Sequence, residues 1–84
     1  MLAEDIIQTA ILKLVKQRGL TASACPSEVA RTLSPDDWRE LMPQVREAAS
    51  LLALQDKVQI TQRGKVVSGN AQITGPIRIR LHRP

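Results

Sequence analysis

The sequence predicts an α+β domain of three to four helices followed by a C-terminal antiparallel β-hairpin. Three observations predict it. Apolar residues recur at helical spacing up to residue 55, the period changes to two after Asp56, and the charges divide at the same point. Residues 57–84 carry Lys57, Arg63, Lys65, Arg78, Arg80 and Arg83 without one Asp or Glu, whereas residues 1–56 hold all eight acids against six bases. The net charge of +4 is therefore −2 in the first part and +6 in the last. Alternation of cations with aliphatics, as in IRIRL at 77–81, suits a folded strand pair with one cationic face, a geometry fit for a polyanion.

The helical part reads in order. In EDIIQTAILKLVKQR, residues 4–18, Ile7, Ala10, Ile11, Leu14 and Val15 fall at helical spacing, with acids in the first turn and bases in the last, and Gly19 ends the run. Residues 20–25 leave room for a short extended segment, because Pro26 biases Cys25 toward extended dihedrals. PSEVARTL opens a second helix on Pro26 and turns Val29, Ala30 and Leu33 inward. Ser34-Pro35-Asp36-Asp37 reads as the start of a third, with Ser34 as cap and two carboxylates at the positive end of the dipole. Pro43 lacks an amide hydrogen, so the expectation is a break: a short helix over 36–41, then a longer one over 43–55. On the longer one Val45, Ala48, Ala49 and Leu52 share a face, and Arg46, Glu47 and Ser50 lie opposite.

Beyond Asp56, Val58 and Ile60 alternate with Gln59 and Thr61, Arg63-Gly64 signals a turn, and Ile77, Ile79 and Leu81 repeat the alternation. The two strands are expected to pair antiparallel across a flexible lobe that contains Gly69-Asn70 and Gly75-Pro76, with Val66 and Val67 extending the pairing. Helix, short extended segment, helix, helix and hairpin is the order of a winged helix-turn-helix. CPSEVAR, DDWRELMP, ITQRG and GPIRIR carry a resemblance as well. With them, residues 5–81 resemble a small bacterial winged-helix family catalogued only as a domain of unknown function. The resemblance implies the fold and no mechanism.

Composition bounds the rest. With 84 residues the chain is read as one domain, 1–84, and with 43% apolar residues, no Phe or Tyr and one Trp its core must be aliphatic. No segment has the length or flanks of a signal peptide or membrane span, so a cytoplasmic protein is the expectation. The lone Cys25 excludes an internal disulfide, and as a nucleophile it would need a base that the single His82, near a terminus, is poorly placed to be. No paired carboxylates with a His, no glycine loop after a strand and no metal-ligand spacing occur, which argues against an enzyme, a cofactor and a metal.

The leading expectation is duplex DNA, gripped at its phosphates by Arg63, Lys65, Arg78, Arg80 and Lys57. The third helical stretch would be the recognition helix, with Gln44, Arg46 and Ser50 able to reach base edges. Asp36, Asp37, Glu40 and Glu47 oppose that, since each repels a phosphate. The alternative is a protein partner or a dimer contact, docking on the acidic 36–40 segment and on Leu51 and Leu54. Trp38 is expected to pack the short helix on the core rather than anchor a partner.

Overall fold

The computed structural model describes residues 3–68 and 73–83. Helices α1 (Glu4–Arg18), α2 (Pro26–Leu33) and α3 (Trp38–Leu54) precede strands β1 (Val58–Gln62), β2 (Lys65–Val67) and β3 (Arg78–Leu81), an α+β arrangement. The sheet is antiparallel with order β2-β1-β3. The extended segment expected before Pro26 adds a single bridge on the far edge of β3: Ala24 N–H donates to the Ile79 carbonyl at 2.7 Å and Ile79 N–H to the Ala24 carbonyl at 2.8 Å. Among the described residues no strand covers the other edge, β2. Val66 and Val67 extend the pairing as expected, whereas the part of the expected lobe at Gly69-Asn70 lies outside the described residues.

One aliphatic core joins both halves. Ile7, Ile11 and Val15 of α1, Val29 and Ala30 of α2, and Leu41, Val45, Ala48, Ala49 and Leu52 of α3 meet Val58, Ile60 and Ile79 of the sheet. Burial on this scale, at about 25 cal/mol per Å² of apolar area, is what holds so small a chain together. Trp38 is half-buried and packs against this core, while Arg31 and Arg39 cover its ring at 4.2 and 4.6 Å from the centroid. Both guanidinium groups are within cation–π range of the ring.

Two expectations about the middle of the chain are corrected. Ser34 does not cap a helix start: it ends α2, and its carbonyl accepts the Asp37 N–H at 3.2 Å, closing a turn with Pro35 at its second position. Nor does Pro43 separate two helices, because α3 is continuous from Trp38 to Leu54. Pro43 falls only five residues after the helix start and forfeits one bond, to the carbonyl of Arg39. Arg39 and Pro43 are both exposed, so that carbonyl sits on the solvent side. Leu41 and Val45 on either side are seated in the same core and hold the helix together across the proline.

Candidate functional site

Arg63 and Gly64 take φ of 54° and 82°, so β1 and β2 are joined by a two-residue turn with positive φ at both positions. Gly64 adopts this freely, and the turn holds Arg63 and Lys65 at the exposed tip of the hairpin. Facing the tip is the chain that returns to β3. Between them runs an open groove of about 790 Å³ lined by Arg63, Lys65, Gln62, Thr74, Pro76 and Arg78 among others, with no Asp or Glu in its walls. Four successive backbone carbonyls fix the far wall: Arg46 of α3 donates to those of Ile73 (2.8 Å) and Gly75 (3.1 Å), and Gln62 of β1 to those of Thr74 and Pro76.

The cations of this face differ in how free they are. The side chains of Arg63 and Lys65 neither hydrogen-bond nor ion-pair with another described residue, and the same holds for the side chain of Lys57, which precedes β1 and does not line the groove. Arg78 and Arg80 lie two residues apart on one face of β3, opposite Thr61 and Gln59 of β1. Arg78 spends two donors on Ser23, Nε to the hydroxyl at 2.9 Å and Nη2 to the carbonyl at 3.0 Å. Arg80 is half-buried and donates to Gln59 Oε1 at 2.9 Å. The Ser23 carbonyl also accepts from Arg18, which pairs with Glu28 at 3.1 Å. Partial burial pushes the Glu28 carboxyl up, but hydrogen bonds from Arg18 and the Cys25 N–H, with the charges of Arg18 and Arg78, outweigh it and hold the carboxyl below its usual range.

The residues read as base contacts are not presented together. Arg46 is committed to the carbonyls of Ile73 and Gly75, and Gln44 and Ser50 are half-buried. Asp36, Asp37, Glu40 and Glu47 are all exposed, and none forms an ion pair with a described residue. Two features escaped the sequence. The stacking of Arg31 on Trp38 crosses the α2–α3 turn, and the capture of the returning chain by Arg46 spans 29 residues, so no local pattern signals either. Cys25 is half-buried, caps α2 through its backbone N–H to Glu28 at 3.2 Å, and takes the Ser27 hydroxyl on its sulfur at 3.1 Å. Among the described residues no group of three or more His, Cys, Asp or Glu could hold a metal, and no helix is long and apolar enough to cross a membrane.

A family model described as "Protein of unknown function (DUF3253)" matches residues 4–82. The chain belongs to the DUF3253 family. No curated protein matches it. The match takes in all three helices and all three strands, so what the DUF3253 chain offers a partner has to be read from its own surface.

Proposed function

We propose that the DUF3253 chain is a non-catalytic winged-helix module that binds duplex DNA at its phosphates through the sheet, without base readout by α3. One observation carries the reading: Arg63 and Lys65 of the hairpin tip and Arg78 of β3 line one open groove free of carboxylates. The element order, with the segment before α2 bridged to β3 and the β1–β2 hairpin projecting a basic tip, supports the wing assignment. The committed guanidinium of Arg46 and the exposed carboxylates of Glu40 and Glu47 argue against insertion of α3 in the major groove. Arg80 and Lys57 lie outside the groove and add field rather than contacts.

The test separates charge from fold. Arg63→Asn with Lys65→Gln removes both charges, and Asn-Gly suits the same turn, so the hairpin is retained. With about three phosphate contacts, log K should fall with log salt at a slope of about −3, equally for unrelated duplexes. The double variant should flatten that slope by about 2. An unchanged slope in a folded variant removes the groove from the DNA contact. Absence of binding to any duplex at about 50 mM salt removes the DNA reading altogether.

A further inference from the structure

Beyond the groove, α3 exposes a second organised surface. Glu40, Gln44, Glu47, Leu51 and Leu54 recur at alternating steps of four and three, the spacing that lines up side chains for a partner helix. This seam flanks the buried one formed by Leu41, Val45, Ala48 and Leu52. Leu51 and Leu54 keep 37% and 49% of their surface exposed, and Leu54 shares a groove of about 300 Å³ with Val66 of the edge strand, itself 53% exposed. The seam is thus acidic toward the start of α3 and aliphatic toward its end. The neighbouring cations do not neutralise it, since Arg39 lies over Trp38 and Arg46 is held by the carbonyls of Ile73 and Gly75.

We propose that this seam docks an amphipathic helix of a second protein that carries Lys or Arg against Glu40 and Glu47 and aliphatic side chains against Leu51, Leu54 and Val66. Charge decides the occupant. A second copy laid parallel on α3 sets Glu40 and Glu47 on their like, and one laid antiparallel and centred on Glu47 sets Glu47 on itself and Leu54 on Glu40. Sliding the copy until leucine meets leucine places Glu47, Gln44 and Glu40 beyond the end of its α3 and leaves both carboxylates without a partner. Duplex DNA is repelled by both carboxylates. A basic, leucine-bearing helix satisfies both ends of the seam at once.

Two synthetic helical peptides of about four turns test this on the full chain. One carries Leu at two successive seam positions and Lys at the next three, and the other has Glu in place of Lys. In low salt the Lys peptide should shift the backbone amides of residues 40–54 and Val66 and bind about tenfold more tightly than the Glu peptide. Glu40→Lys with Glu47→Lys should reverse that preference, and Leu51→Ser with Leu54→Ser should abolish binding of both while leaving the remaining amide shifts in place. Equal affinity for the two peptides, shifts confined to other residues, or no shift at about 1 mM peptide overturns the proposal. So does sedimentation showing that the chain pairs with itself through α3, or a duplex that shifts the α3 amides instead of the peptide. The peptide result stands whether or not the sheet groove binds DNA, so the two readings fail separately.

Discussion

Asp56 shows how much one residue can withhold from the sequence. It sits at φ 58° just past α3, where its N–H donates to the Ala53 carbonyl at 3.1 Å and the next N–H, of Lys57, reaches the Leu52 carbonyl at 3.0 Å. Those two bonds make the helix-ending motif that normally employs glycine, here with a side chain that pays a steric cost and a carboxylate at the negative end of the helix dipole. Asp56→Gly should therefore stabilise the domain by about 0.5–1 kcal/mol, a rise in melting temperature of about 2–8 °C. A fall would show that the Asp56 side chain makes a compensating contact. The sequence places the end of the helix near Asp56 but not its left-handed backbone, because the glycine that usually signals this motif is missing, whereas Arg63-Gly64 was legible as a turn from its glycine alone.

At the scale of elements, α3 departs most from expectation. Proline in a helix interior costs about 3 kcal/mol in an isolated host, and that local cost made residue 43 look like a boundary. Leu41, Val45, Ala48 and Leu52 fall on one buried stripe running across the proline, and their joint burial outweighs one missing bond. Pro43 is exposed and held by no packing of its own, so Pro43→Ala should restore the bond and stabilise the fold by about 1–2 kcal/mol, the gain reduced by the freer unfolded chain. Chemical denaturation checks it. An unchanged or lowered midpoint would mean that the proline shapes the first turn of α3 and the Trp38 stack with it.

For the molecule as a whole, the tie between halves runs through Ser23, Arg18, Glu28 and Arg78, which join the end of α1, the start of α2 and the sheet. Glu28 is held below its usual value in the folded state, so its contribution is fully present above the unfolded value near 4.3 and is lost as pH falls through the lower folded one. Both side chains of the ion pair are more than a third exposed, 35% for Arg18 and 39% for Glu28, so the contribution is small, about 0.5 kcal/mol. Glu28→Gln should lower the melting temperature by about 2–4 °C near neutral pH, and the gap should narrow as pH falls through the lowered folded-state value of the Glu28 carboxyl. A gap that does not change with pH would assign the loss to packing and not to charge.

The sequence by itself determined the helices from their period, the strands from their alternation, the Arg63-Gly64 turn and the division of charge between the two parts, because each is set by residues a few positions apart. Of the candidate site it revealed the cations and not their freedom. Only the tertiary structure decided that α3 runs through Pro43, that Arg46 is spent on the carbonyls of the returning chain, and that Arg63, Lys65 and Arg78 share a groove. Those outcomes depend on groups brought together across tens of residues, where burial of a shared core outweighs local preference and where a guanidinium takes whichever carbonyl the fold places within reach.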